Sequence, residues 1–180
     1  MDDSLSAHPR SVPAPFGAVY AVPRVLHPLL TGREFLPPPA PAAEDDWDTL
    51  TALAARHDWH LPLRWRHELR RPGTALVLTD AAQRICWVNA GFSRMTGYPA
   101  AEALGRRPGF LQGPGTEAAV REGLRQRLQQ ARPFVGMLLN YRRSGQPYYC
   151  YVRIRPVRNT AGVVTHFLAF EHELLLAVAS

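Results

Sequence analysis

Three long β-rich runs close the chain, and the turns between them are so short that each run must reverse the direction of the one before it. The runs lie at about 133–143, 146–157 and 163–172, with turn-forming residues at 144–146 and 159–162. Runs rich in β-branched and aromatic residues are typical of strands, and short connections containing Gly join antiparallel neighbours. The sequence therefore predicts three consecutive antiparallel strands.

Shorter elements precede these strands. Residues 74–79 and 84–88 are β-rich and are separated by a polar turn, so they predict a hairpin. Residues 89–98 and 99–104 predict short helical turns, and Thr116 is placed to cap a longer helix. Two strands, a helical middle and three further strands make an α+β fold, with a five-stranded antiparallel sheet and short helices on one face.

The first part of the chain has a different composition. Nine of the seventeen prolines fall within the first 41 residues, and such a stretch cannot propagate helix or ladder hydrogen bonds. Behind it, apolar residues recur at helical spacing after a run of acids, which predicts a helix at 46–58, and a second short helix is expected at 63–70. The chain therefore divides into a proline-rich arm at 1–45, an N-terminal helical extension at 46–73, a domain at 74–173 and a tail at 174–180.

The charged and sulfur-containing residues exclude several classes of protein. All 21 basic residues are Arg and the net charge is +6, but they are scattered and no helix-turn-helix or zinc pattern accompanies them. We therefore expect no nucleic-acid partner, and the Arg, Ala and Pro usage instead indicates a GC-rich bacterial genome.

The two cysteines, Cys86 and Cys150, give no disulfide framework, which suits a reducing compartment. No apolar run is long enough to span a membrane and no secretory signal is evident, so the sequence predicts a cytoplasmic protein.

Several short motifs support a more specific assignment. Thr79-Asp80, the run 87–92 and the run 95–98 resemble the opening "TD…VN.AF…TGY" segment of PAS domains. The run 105–114 resembles the signature helix of the light-oxygen-voltage (LOV) subclass, and 140–145 resembles the strand and turn that follow it. The resemblance implies a PAS fold and a sensor that binds ligands or relays signals rather than catalysing a reaction.

The departures from the LOV pattern concern its flavin site. LOV photoreceptors form a light-driven bond between a flavin and a cysteine, and that cysteine falls at Pro108 here. The neighbouring Asn and Arg fall at Arg107 and Gly109, and losing the Arg removes a charge-assisted phosphate contact. Two polar residues of the flavin site are retained, Gln112 and Asn140, and two are replaced, by Cys150 and Glu171. The resemblance therefore indicates these four residues as a candidate pocket.

Strand alternation places most of this candidate pocket on one face of the sheet. The face towards the helices is predicted to carry Asn140, Cys150, Val152, Ile154, Ala169 and Glu171. One interpretation is a polar-lined ligand pocket completed by Gln112; the other is that the polar side chains satisfy one another or backbone groups. An ionised Glu171 would need a partner, or its pKa would rise on burial. Cys86 and Cys150 are both expected to be inert buried thiols.

The opposite face is too apolar to be left in water. It is predicted to carry Met137, Leu139, Tyr141, Tyr149, Tyr151, Leu168 and Phe170, with Arg153 and Arg155 along one margin. Two covers are possible, the helix at 46–58 or a second copy of the chain in a homodimer. Output is expected through this face, by binding of a protein partner or by rearrangement of the dimer.

These observations favour a stand-alone PAS sensory or interaction module of signal transduction. The alternative is a cysteine-less LOV-like flavoprotein (FMN or FAD) that senses light or redox state; no cofactor is assigned otherwise. Residues 99–135 contain no His, which argues against haem, and no catalytic or metal-binding set is expected. Because the chain ends soon after its last predicted strand, we expect no kinase, cyclase or DNA-binding domain.

Overall fold

The computed structural model describes residues 45–174, so the predictions for the proline-rich arm and the C-terminal tail lie outside the described residues. Within this range no helix is both long and apolar enough to cross a bilayer. The elements, in chain order, are α1 Asp46–His57, α2 Trp65–Leu69, β1 Ala75–Asp80, β2 Ile85–Val88, α3 Ala90–Thr96, α4 Ala100–Ala103, a 3₁₀ turn Pro108–Leu111, α5 Ala118–Gln129, β3 Phe134–Tyr141, β4 Pro147–Arg158 and β5 Val164–Leu174.

The five strands form one antiparallel sheet in the order β2-β1-β5-β4-β3. The predicted hairpin and the three consecutive strands are confirmed, and the last strand, β5, lies in the middle of the sheet. Its residue Glu171 is opposite Ala75 on β1 and Val152 on β4, and Ala169 is opposite Val77 and Ile154. Alternation along these strands therefore places Ala169 and Glu171 on one face, as predicted, and Phe170 on the other.

Each face of the sheet has its own apolar core. The inner core packs α3, the 3₁₀ turn and α5 against the sheet, with Phe92, Leu111 and Val152 among its buried members. The outer core packs α1 and α2 over β1 and β5, and its centre includes Leu50 and Phe170. The predicted helix at 46–58 therefore does cover the sheet, together with α2; these two helices are called the cover below.

One side chain joins the cover to the PAS-like region behind it. Asn89 caps α3 by accepting a hydrogen bond from the amide of Phe92 at 2.9 Å. Its oxygen also accepts from the Leu76 amide at 2.9 Å, and its nitrogen donates to the Asp46 carboxylate at 2.7 Å. Gly91 follows at a point where a Cβ would lie 2.3 Å from the carbonyl oxygen of Thr74. Because residue 91 is Gly, α3 can pack closely against the start of β1. The hydrogen bond from Asn89 to Asp46 holds the first turn of α1 against the same region.

The prediction that Thr116 caps the long helix is wrong. The helix begins at Ala118 with Glu117 in the cap position, and no side chain caps it. The Thr116 hydroxyl instead donates to the carbonyl of Leu139 at 2.5 Å and accepts from the amide of Gly113 at 3.0 Å. This side chain is used to tie the loop before α5 to the edge of β3, so it is not free to cap the helix.

Candidate functional site

A cavity of about 280 Å³ lies between the inner face of the sheet, the 3₁₀ turn and helix α5. This volume is near the lower end of the roughly 300–1,000 Å³ typical of ligand pockets, so the cavity suits a small molecule. Its lining comes from β1, β4, β5, the 3₁₀ turn and α5: Val77, Thr79, Gln83, Arg107, Pro108, Gly109, Gln112, Arg121, Leu124, Arg125, Leu128, Ile154, Phe167, Ala169 and Glu171.

The four predicted pocket residues are not all brought together here. Gln112 and Glu171 line the cavity, whereas Asn140 and Cys150 do not. Asn140 and Cys150 are buried on the predicted face but are packed beside Tyr148, which is opposite Asn140 in the register. Among the described residues, neither the Asn140 Oδ1 nor the Tyr148 hydroxyl has a hydrogen-bond partner. Strand alternation predicted the face of the sheet on which these residues lie, but it does not predict which part of that face borders the cavity.

Glu171 is the most unusual group in the cavity lining. Its side chain is only 6% exposed, and its one side-chain contact of hydrogen-bond type within residues 45–174 is with the Cys150 thiol, at 3.8 Å. A carboxylate is an acceptor-only group that loses its hydration on burial. Burial therefore raises the pKa of Glu171 to about 7, which confirms the expectation drawn from the sequence.

Neither cysteine is activated. Burial, followed by the neighbouring Glu171, raises the pKa of Cys150 well above its usual value, so its thiolate is scarce at neutral pH. Cys86 is exposed on β2, contrary to the expectation that it is buried, because the buried positions of that short edge strand are taken by Ile85 and Val88. Burial of its sulfur, together with Asp80, still raises the pKa of Cys86. We infer no thiol chemistry at either position.

Positive charge surrounds the mouth of the cavity. Arg107, Arg121 and Arg125 belong to its lining and are all exposed to solvent. Arg125 is paired with Glu122 at 2.8 Å, whereas no ion pair joins any of the three to Glu171 in the part of the chain described. The cavity is thus acidic at its inner end and basic at its mouth, with apolar side chains such as Leu124 between them.

The residues of this cavity do not fit a flavin held as the LOV resemblance implies. Pro108 offers no thiol, and Gly109 lacks the charged side chain that the resemblance places there. Asn140 and Cys150, which the resemblance assigns to the flavin pocket, lie outside the cavity lining. We therefore assign no flavin chemistry to it.

The outer face holds a charged network that the sequence analysis missed. Glu68 on α2 forms ion pairs with Arg153, and with Arg155 at 3.4 Å, both on β4. The guanidinium groups of these two arginines lie over the ring of Phe170, at 5.7 and 5.6 Å from its centroid. Trp65 packs edge-on against the same ring at 5.9 Å. The cover is therefore anchored on β4 and β5 by charge as well as by apolar packing.

The cover leaves part of the outer face open. Val135, Met137 and Tyr149 on β3 and β4 are 59%, 47% and 36% exposed, respectively. These three residues are called the strip below. Isolated exposed hydrophobic residues are ordinary on a protein surface, but a contiguous apolar patch more often marks an interaction site.

A second, open cleft has a less distinctive chemistry. It measures about 590 Å³ and lies where α3 ends beside the β3–β4 turn. Arg142 is paired there with Glu173 at 2.6 Å, and Arg143 with Glu102 at 3.0 Å. The charges in the cleft are thus largely compensated. The described residues also contain no cluster of three or more His, Cys, Asp or Glu side chains suited to a metal ion.

A five-stranded antiparallel sheet with short helices over a small inner cavity defines a sensory domain of the PAS class. The family model described as PAS domain matches residues 73–174, which is more than half of the chain. The chain therefore belongs to the PAS domain family.

Relatives with known roles agree with this assignment. Phototropin-2 of Oryza sativa subsp. japonica is 38% identical over 101 residues, which cover 54% of this chain and 11% of the relative. The nitrogen fixation regulatory protein of Klebsiella oxytoca is 34% identical over 106 residues, covering 59% and 21%. The blue-light-activated histidine kinase of Brucella abortus (strain 2308) is 32% identical over 95 residues, covering 53% and 19%. The chain thus spans only a small part of the length of these relatives.

Solved structures show the same fold. One, described as "Flavin Analogue Sheds Light on Light-Oxygen-Voltage Domain Mechanism", has a TM-score of 0.58 and 29% identity, and the match covers 62% of this chain and 85% of that one. The LOV domain of the Erythrobacter litoralis EL346 blue-light activated histidine kinase has a TM-score of 0.56 at 24% identity, covering 59% and 100%. Sensory domains of the LOV type are therefore structural neighbours of this chain.

Proposed function

We propose that this PAS domain detects a small molecule in its inner cavity and transmits the binding event through β5 to the cover. The observation that carries the proposal is the alternation of β5, in which Ala169 and Glu171 line the cavity while Phe170 packs under Trp65. Successive side chains of a strand share one backbone, so a shift of β5 caused on one face also moves the other face. The central position of β5 favours it as the route.

The proposed output is a change in binding to a protein partner or to a second copy of the chain. The strip supports this proposal, since it lies on the same outer face as the cover and exposes apolar side chains of two strands. In a symmetric dimer the same patch is used by both copies, and the exposed apolar side chains of the strip suit such a contact. Movement of the cover would then alter what the strip can bind.

The proposed role is binding rather than catalysis. The titratable groups among the cavity lining are Glu171 and three arginines. The thiol of Cys150 contacts Glu171 at 3.8 Å, but it lies outside the lining and its pKa is raised well above the usual value, so the two do not form a pairing of an activated nucleophile with its base. Nucleophilic catalysis needs such a pairing, and general acid–base catalysis needs a group beside a reacting atom. A sensory role requires only that ligand binding change the balance between two conformations.

Hydrogen exchange tests the proposed route through β5. Changing Ala169 to Leu inserts volume into the cavity from β5, and the exposed Ala119 of α5, changed to Leu, is the matched control. We expect Ala169→Leu to change the exchange rates of α1 and α2 while Ala119→Leu leaves them unaltered. Unchanged exchange in the cover of a folded Ala169→Leu protein would contradict the proposal.

Sedimentation tests the proposed output surface. Met137→Lys places a charge in the strip, and Val163→Lys makes the same change at a turn residue that is 58% exposed. We expect Met137→Lys to weaken self-association or partner binding, because a buried unpaired charge is costly at an interface. Equal effects of the two substitutions would show that the strip is not the contact surface.

A further inference from the structure

The buried carboxyl of Glu171 restricts what the cavity can hold. This inference rests on the proposed function, since it names the ligand class of the proposed sensing site. Glu171 is nearly inaccessible to solvent yet belongs to the cavity lining, and its contact with Cys150 at 3.8 Å is with a weak donor. Buried polar groups are normally provided with strong hydrogen-bond partners. In the described residues Glu171 lacks such a partner.

Among the described residues no strong donor lies within hydrogen-bond distance of the Glu171 carboxyl. Gln112 shares the cavity, but no hydrogen bond joins its amide to Glu171 within residues 45–174. The arginines at the mouth are not within ion-pair distance of the carboxyl, and the residues opposite Glu171 in the sheet, Ala75 and Val152, are apolar. A molecule in the cavity can therefore supply the strong donor that Glu171 lacks.

We propose that the cavity takes a small ligand whose inner end carries a cationic or doubly N–H-donating nitrogen group. Amidines, amines and amino-substituted heterocycles belong to this class, because their N–H groups match the two oxygens of a carboxylate. The ligand binds Glu171 in its ionised form, and its apolar body packs between Leu124 and Ile154. Such a ligand gives the buried carboxyl the partner that the protein lacks.

The basic mouth adds a second requirement. Arg107 and Arg121 have no ion-pair partner among the described residues, and they repel a ligand that presents positive charge at its outer end. The outer end of the ligand is therefore neutral or anionic. A molecule with the opposite arrangement, a carboxylate or phosphate inside and an ammonium outside, is excluded by the charges at both ends of the cavity.

Three probes of nearly equal size and shape test the charge requirement in the intact chain. Benzamidine brings a cationic amidinium, benzamide brings a neutral amide, and benzoate brings an anion; each is a single ring with one planar substituent. Calorimetry should show benzamidine binding about ten- to a hundredfold more tightly than benzamide, because charge-assisted hydrogen bonds are the stronger ones. Benzoate should not bind at the inner end.

Two matched variants locate the binding. Glu171→Gln keeps the shape of the side chain and removes its charge, so it should abolish the preference for benzamidine over benzamide. Glu173→Gln makes the same change two residues further along β5, at a carboxylate that is paired with Arg142 and does not line the cavity. This control should keep the full preference.

The pH dependence gives a separate reading of the same contact. The ionisable groups facing Glu171 are Cys150 and Tyr148 from β4, and the arginines 107, 121 and 125 are at the mouth. The carboxyl must lose its proton to pair with the amidinium, so affinity for benzamidine should rise with pH and become constant above about 7. Glu171→Gln should remove this dependence.

The outcomes separate this inference from the proposed function. Equal affinities for benzamidine and benzamide, or a preference that persists in Glu171→Gln, overturns the ligand class. Binding of benzamidine with the expected preference but without any change in hydrogen exchange of α1 and α2 supports the ligand class and contradicts the proposed transmission. A benzamidine preference lost in Glu173→Gln as well overturns the assignment to the cavity.

Discussion

The two faces of this sheet are closed in different ways. The inner face is closed by α3, the 3₁₀ turn and α5, all from the segment between β2 and β3, and this packing leaves a cavity with a buried carboxyl. The outer face is closed by α1 and α2, which precede the sheet in the chain and are held by Glu68 as well as by apolar contacts. A central strand with a ligand-sized space on one side and a charged anchor on the other can therefore link the two faces of the sheet.

The largest effect is expected from the apolar part of the outer face. Leu50 is fully buried in the outer core, so Leu50→Ala should destabilise the protein by about 2–5 kcal/mol through lost burial and the cavity left behind. Leu63→Ala, at a leucine that is 79% exposed, is the control and should cost less than about 0.5 kcal/mol. Urea unfolding measures both, and equal small losses would show that the cover contributes little to stability.

The buried carboxyl should make the inner face sensitive to pH. The pKa of Glu171 is raised from 4.5 to about 7 in the folded state, so the folded state holds a proton that the unfolded state has lost. Stability from this group is thus fully present below the unfolded value and falls as pH rises to about 7, by about 3 kcal/mol in all. Glu171→Gln should flatten this profile, and a profile unchanged by the substitution would contradict the assignment.

The charged anchor should contribute less than the apolar core beneath it. Glu68→Gln leaves two arginines of β4 without their partner, and we expect a loss of about 1–3 kcal/mol because the network is largely shielded from water. Glu122→Gln removes a solvent-exposed ion pair with Arg125 and should cost clearly less, because water screens the two charges. If the two losses measured by urea unfolding are equal, the anchor behaves as an ordinary surface pair.

The smallest effect is expected where α1 ends against β5. The rings of His57 and Trp59 lie 5.0 and 4.4 Å from that of His166, and burial, then His57, lowers the pKa of His166. As the pH falls, His166 therefore becomes protonated in the unfolded chain before it does in the folded chain. The folded state thus loses stability as the pH falls below 6.5. Thermal melts over a range of pH, made in the Glu171→Gln background with and without His166→Gln, isolate the contribution of His166. If the two variants lose stability equally as the pH falls, His166 makes no such contribution.

Much of the fold could be predicted because local patterns and global packing agree. Alternation placed Glu171, Ala169 and Cys150 on the inner face, and the turns fixed the antiparallel order. Three features could not be found this way. The Thr116 hydroxyl is engaged by a backbone carbonyl of β3, Glu68 meets arginines of a strand far along the chain, and Asn140 lies beside Tyr148 rather than in the cavity. The first two depend on contacts between segments far apart in the chain, which no local pattern records. The third depends on where the cavity lies along the inner face, which strand alternation does not specify.

A double-mutant cycle between the two faces tests most directly the claim that β5 links the cavity to the cover. Ala169→Leu acts in the cavity and Glu68→Gln acts on the cover, and urea unfolding gives the stability of the two single variants and of the double variant. Sites that share a moving element typically show interaction energies of about 0.5–3 kcal/mol, and we predict a value in this range. Ala119→Leu combined with Glu68→Gln should be additive. Additivity of the Ala169 and Glu68 substitutions as well would contradict the link.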